Sequence, residues 1–204
     1  MPDALDRAAE GIREEDLSSM ALAREELPYE LREFQLAREG VLDNADMAEH
    51  GFPGSTTGEI RATGRITGYL REFVTPAPPQ EGSNVIAATV VHLFQDKLQV
   101  SRWMTGKFLG DFQRSVGREL GRGQQLISAD RLQYEGFSDE AVGLRTLQTS
   151  DAGLVSSTIV DFRVGRLLGV AYLVTLGDVE RKELVGQIGI ELERRIVRIL
   201  LGAA

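Results

Sequence analysis

The apolar positions of this chain change period several times, and the changes divide it into elements. Between residues 3 and 26, Leu5, Ala8, Ala9 and Ile12, then Leu17, Met20 and Ala21, recur at helical spacing as a narrow stripe, and Pro28 ends it. Leu31 to Ala37 alternates and predicts a short strand. Glu39-Gly40 predicts a turn, and Asn44 is placed to cap a short helix through His50. Gly51 to Gly58, with Pro53, predicts a loop. Ile60 to Val74 predicts a strand. Ile60, Ala62, Ile66, Leu70 and Val74 share one face, with Arg61, Arg65, Tyr69, Arg71 and Phe73 on the other. Gly64 and Gly68 lie on the apolar face, where a helix can approach closely. Pro76, Pro78, Pro79 and Gly82 then make a stiff connection.

Val85 to Phe94 is apolar on both faces, the pattern of a strand covered on both sides. Gln95 to Leu120 predicts a long amphipathic helix: Val100, Met104, Phe108, Phe112, Val116 and Leu120 recur at every fourth position, and Gly121 and Gly123 stop it. Strands follow at 125–134, 141–149, 154–164 and 166–176. The last two form a hairpin, and Asp151-Ala152-Gly153 turns the pair before it. Asp178 is placed to cap a final helix to Leu201, striped by Leu184, Val185, Ile188, Leu192, Ile196, Ile199 and Leu200. The order predicts an α+β fold: a mostly antiparallel twisted sheet, with a long mid-chain helix and a C-terminal helix packed on it. This order over roughly residues 29–202 resembles the PsbP-like α/β/α sandwich of bacterial extracytoplasmic lipoproteins. Gly64-Arg65-Ile66-Thr67-Gly68-Tyr69 is also similar to a segment of bacterial secreted proteins. The resemblance implies a binding or accessory role outside the cytoplasm and carries over no site residues.

Charge refines the division. Residues 1–50 hold 14 acidic and 5 basic side chains, and the remainder 17 and 18, so the total of −8 sits in the first quarter. Residues 1–28 read as an acidic helical extension, a solvated arm or an interaction arm, and 29–204 as a single α+β domain. The acidic balance argues against nucleic acid and anionic membrane surfaces as partners. Apart from Lys97, Lys107 and Lys182, every cation is arginine, a bias expected of a GC-rich genome. No apolar run reaches the roughly 18–20 residues of a membrane span. The N-terminal residues lack the pattern of a signal peptide, which gives a cytoplasmic location, or an extracytoplasmic one if a leader has been removed.

Candidate chemistry is sparse. The chain has no cysteine, which excludes disulfides, thiolate metal sites and cysteine nucleophiles. Neither a Gly-x-Ser-x-Gly elbow nor a phosphate-binding glycine loop occurs. Of two histidines, His50 ends a polar helix and His92 lies in line with Val90 and Phe94, the position of a core-edge histidine. Asp161 shares a strand face with Val155 and Ile159; if that face is buried it needs a partner such as Arg145 or Arg163. Arg114, Arg118 and Arg122 read as a row along the long helix, and Glu191, Arg194, Arg195 and Arg198 as a charged face on the last; both are ordinary solvated faces. Arg61, Arg65, Tyr69, His92 and Asp161 are therefore the candidate ligand-facing residues, with no cofactor, metal or catalytic residue expected. The expected function is non-enzymatic binding of a small molecule or a protein outside the cytoplasm. The alternatives are a cytoplasmic homodimeric interaction module and an enzyme with an unfamiliar site.

Overall fold

The computed structural model describes residues 2–121, 123–151 and 153–202. Arg122 of the expected arginine row and Ala152 of the expected turn lie outside them. Eight strands form a single antiparallel sheet in the order β1-β2-β3-β8-β7-β6-β5-β4. They are β1 (Gln35–Leu42), β2 (Arg65–Val74), β3 (Asn84–Phe94), β4 (Glu119–Gly121), β5 (Gln124–Leu132), β6 (Ala141–Ser150), β7 (Gly153–Val164) and β8 (Leu167–Leu176). Two meanders, β1–β3 and β4–β8, meet where β3 pairs with β8. Those two strands are central, which is why Val85–Phe94 is apolar on both faces.

The connection from β3 must reach β4 at the far edge, five strand spacings away, about 24 Å. It does so with one helical rod: α5 (Lys97–Arg102), a π-helical turn (Trp103–Phe108) and α6 (Leu109–Arg114). The expected helix is present but ends six residues early, at Arg114, so Arg118 and Leu120 are not helical and the arginine row does not form. The π turn explains the four-residue repeat. An α-helix has about 3.6 residues per turn, so side chains spaced strictly by four drift around it; a turn of wider pitch removes the drift. Val100, Met104, Phe108 and Phe112 thereby stay on one side.

Helices cover both faces, giving the expected sandwich. The C-terminal helix α7 (Lys182–Leu200) packs Val185, Ile188, Leu192 and Ile196 against Val160, Phe162, Leu167, Ala171 and Leu173. The α5–α6 rod covers the opposite face over Phe94, Val142, Leu144 and Leu168. The expected cap at Asp178 is not used: α7 begins at Lys182, and Asp178 pairs with Arg145.

The acidic first quarter is not a solvated arm. After α1 (Pro2–Glu10) the chain runs through short turns and α2 (Leu17–Met20), and Leu17, Met20, Leu22, Leu27 and Leu31 are buried in the same core as α7. Little of this stretch is regular, so its backbone carbonyls need donors from elsewhere. Arginines supply them. Arg166 donates to the carbonyls of Ala9 (3.1 Å), Ile12 (2.7 Å) and Phe94 (3.3 Å), Arg195 to Ser19 (2.5 Å), and Arg71 to Ala21 (3.0 Å). The acidic side chains meet one of the same cations and two others: Glu26 pairs with Arg195 and Arg198, and Asp6 with Lys97.

Replacing Leu22, fully buried, with alanine is therefore expected to lower the unfolding free energy by about 2–5 kcal/mol in urea titrations. A loss below about 1 kcal/mol would show that this segment is detached from the core in solution.

Candidate functional site

Two of the five sequence-predicted site residues meet. A β-bulge in β2 lets Arg65 oppose Phe94 while Thr67 opposes Leu93. One extra residue turns Arg65 to the other face of the strand, away from Tyr69 and toward His92. There the guanidinium is fully enclosed and donates to His92 Nδ1 (3.1 Å), Asn44 Oδ1 (2.6 Å) and the Leu42 carbonyl (2.6 Å). Asn44 Nδ2 returns the contact to the carbonyls of Arg65 (3.1 Å) and Ile66 (3.3 Å). Gly68 makes room: a Cβ there would lie 2.6 Å from His92 Nδ1 and 2.8 Å from Arg65 Nη2. Burial lowers the Arg65 guanidinium to about 10, with the Asp43 and Asp46 carboxylates opposing the shift, so it is charged at neutral pH. His92 accepts at Nδ1 and is neutral; burial, then the Arg65 charge, hold its pKa well below the ordinary value.

The other three lie apart. The expected strand over 60–74 starts only at Arg65, because residues 57–62 form α4 (Thr57–Ala62), capped by Thr56; Arg61 is exposed on that helix. Tyr69 is on the α7 side of the sheet, with the Arg71 guanidinium 5.8 Å from its ring centre. Asp161 is buried on the rod side of β7, opposite Val142 and Val170. The expected arginine partner does not reach it. Arg163 binds Asp139 (2.8 Å) and Glu140 (3.1 Å), Arg145 pairs with Asp130 and Asp178, and neither Asp161 oxygen has a partner among the described residues. Burial alone pushes the Asp161 carboxyl well above the carboxylate range, so it is held as the neutral acid.

A concave surface with an aromatic wall lies elsewhere, on the outer half of the rod. Between β1 and β2 the chain makes an excursion through α3 (Asn44–Glu49), a loop and α4. Asp43, rather than the expected Asn44, caps α3, accepting from the amides of Ala45 (2.6 Å) and Asp46 (2.8 Å); this frees Asn44 to hold Arg65. Arg65 thus ties the start of the excursion, at Leu42 and Asn44, to its end. The loop lies over the rod, where Phe52 meets Phe112 edge to face at 4.9 Å and Phe112 meets Phe108 at 5.7 Å. A cleft of about 390 Å³ opens between them. Its apolar wall is Met47, Phe52, Ile60, Trp103, Phe108 and Phe112, and β4, β5 and β6 contribute Leu120, Gln124 and Gln148. His50, Lys107 and Asp111 are its ionisable groups, and an adjoining hollow beside Glu49 shares His50, Phe52 and Leu120 with it.

No sequence expectation marked this cleft. Phe108 and Phe112 continue a core stripe, and nothing in the pattern says that they border a cleft. Phe52 in a Gly/Pro loop is the one visible signal, a large apolar side chain where solvent is expected. Among the described residues no cluster of three or more histidine or acidic side chains is placed to hold a metal, and no helix is long and apolar enough to cross a membrane.

No family model and no curated protein matches the chain. Among solved structures it is similar to the extracellular domain of PknH from Mycobacterium tuberculosis, with 10% identity and a TM-score of 0.62 over 92% of this chain and 97% of that one. An uncharacterised protein of Mycobacterium smegmatis, the Rv0999 ortholog, matches at 8% identity with a TM-score of 0.46 over 80% and 89%. The PknH domain shares the α+β sandwich; at this identity the likeness is one of fold.

Replacing Arg65 with methionine leaves Asn44, the Leu42 carbonyl and the bulge without their donor. It is expected to cost about 3–5 kcal/mol in denaturant titrations. Asp161→Asn should act in the opposite direction, with a pH signature. The folded carboxyl keeps its proton, while the unfolded one loses it above about 4, so rising pH favours unfolding of the wild type. The asparagine variant is expected to be the more stable protein at pH 8, its advantage shrinking toward pH 4 by about 1.4 kcal/mol per unit at most. A pH-independent difference would mean that Asp161 is ionised in the folded chain.

Proposed function

We propose that this chain is a non-enzymatic binding domain, acting outside the cytoplasm, that takes a small and mainly apolar molecule in the cleft under the 50–56 loop. The observation that carries the reading is the cleft's aromatic wall: Phe52, Phe108 and Phe112 are only partly buried, and their ring contacts line a concave space. A volume of about 390 Å³ falls at the lower end of the range of about 300–1,000 Å³ seen for small-molecule pockets. Partly buried aromatic surface in a concavity gains free energy when a ligand covers it.

The non-enzymatic reading rests on where the perturbed groups sit. Catalytic acids and bases are displaced in pKa and open to a cleft. His92 and Asp161 are displaced but sealed between sheet and rod, with His92 held by Arg65. Both have structural explanations. The extracytoplasmic reading agrees with the PsbP-like order of elements and with the fold shared with the PknH domain, which is extracellular in that protein.

Trp103 is the single tryptophan and lies in the wall, so the site carries its own reporter. The neutral dye N-phenylnaphthylamine is expected to bind one per chain and to quench Trp103 emission by energy transfer. Phe112→Ala should weaken binding about tenfold through lost ring contact. Native mass spectrometry of the freshly purified protein should show an added mass that disappears on denaturation. A bare chain that leaves the dye dark would sink the proposal.

A further inference from the structure

The ionisable groups of the cleft are unevenly matched. Asp111 accepts from two cations at once, Lys107 at 2.6 Å and Arg114. Lys107 lines the cleft with its side chain 29% exposed, and Arg114, outside the lining, shares Asp111 with it, so the three groups together carry one net positive charge beside the aromatic wall. The remaining ionisable group of the cleft, His50, is exposed at the end of α3. Glu49 lies in the adjoining hollow rather than in the cleft. The π turn fixes this juxtaposition. Lys107 is within it, Phe108 ends it, and Asp111 and Phe112 follow one turn later, so the cation and the two rings share one edge of the rod.

We infer that the cleft is selective for an amphiphile with a single carboxylate head, held by Lys107, whose apolar body lies against Phe52, Phe108 and Phe112. This rests on the proposed role of the cleft as a ligand pocket and adds the head-group chemistry. An ionised acceptor on an ammonium forms a stronger hydrogen bond than a neutral one, and the Asp111 pairing keeps Lys107 in place before the ligand arrives. The chain's net charge of −8 works against an anion at long range. At physiological salt that field is screened beyond about 8 Å, and the local excess decides.

The test uses three probes with one tail: decanoate, decanol and decyltrimethylammonium, each titrated into the full chain near neutral pH with Trp103 emission as readout. Decanoate is expected to bind about tenfold more tightly than decanol, with the cation weakest. Lys107→Met should erase the margin between decanoate and decanol through a loss of decanoate affinity, and decanol binding that persists in the variant shows that the cleft is intact. Asp111→Asn should widen it. Equal binding of decanoate and decanol, a preference for the cation, or a margin that survives Lys107→Met overturns the carboxylate assignment and leaves the pocket standing. Silence from all three probes overturns the pocket together with it.

Discussion

The buried guanidinium of Arg65 draws on three segments that the sequence keeps apart. It takes its acceptors from the end of β1, the first turn of α3 and the C-terminal end of β3, and its own backbone carbonyl receives Asn44. An enclosed charge is costly unless its donors are satisfied, so the geometry around it tolerates little change. The bulge in β2, the missing Cβ at Gly68, the neutral state of His92 and the use of Asp43 rather than Asn44 as the α3 cap all answer to this one side chain. What it secures is the excursion between β1 and β2. That excursion contributes Met47, Phe52 and Ile60 to the cleft, so the site depends on an interaction on the sheet side of it.

The same donor chemistry fastens the N-terminal quarter. An irregular segment carried into a core brings unpaired carbonyls with it, and a planar fork of N–H groups can serve several from one position. Arg166 does this for Ala9, Ile12 and Phe94, and Arg181, beyond the other end of β8, donates to the Gly82 carbonyl and to Asn84 Oδ1. Lysine offers a point charge without that geometry. The arginine bias thus has a structural use here, whatever the genome's composition. The acidic side chains of the first quarter meet some of the same cations, so its net charge is partly neutralised at the interface.

The perturbed groups and the cleft lie apart in this fold. The carboxyl and the imidazole with the largest displacements lie in the sheet–rod layer, where burial explains both. The cleft holds aromatic rings and one ion-paired lysine. The binding proposed there involves no proton transfer, only apolar area to be covered and a charge to be answered. The π turn connects the two regions, because it keeps one stripe in contact with the sheet at Val100 and Met104 and with the cleft at Phe108 and Phe112.

The α+β class, the central strand, the β7–β8 hairpin and the C-terminal helix were legible from the chain alone, because each rests on a local period set by strand or helix geometry. The rod was legible too, and its strict four-residue repeat contained the π turn without revealing it. Local pattern failed wherever a residue's role was set by a distant partner. Arg65 and Tyr69 have strand parity, and one bulged residue separates them onto opposite faces. Asp161 looked like half of an ion pair, but its neighbouring arginines found other acids. Leu5 to Ala21 looked like a narrow helical stripe, and the arginines that make the burial of this segment tolerable come from residues 71, 166 and 195. The cleft was illegible for the same reason. Phe108 and Phe112 carry the pattern of a core. That they face a concavity follows from their place at the β4–β6 edge of the sheet and from where the Phe52 loop lies, and both are fixed by contacts between segments tens of residues apart.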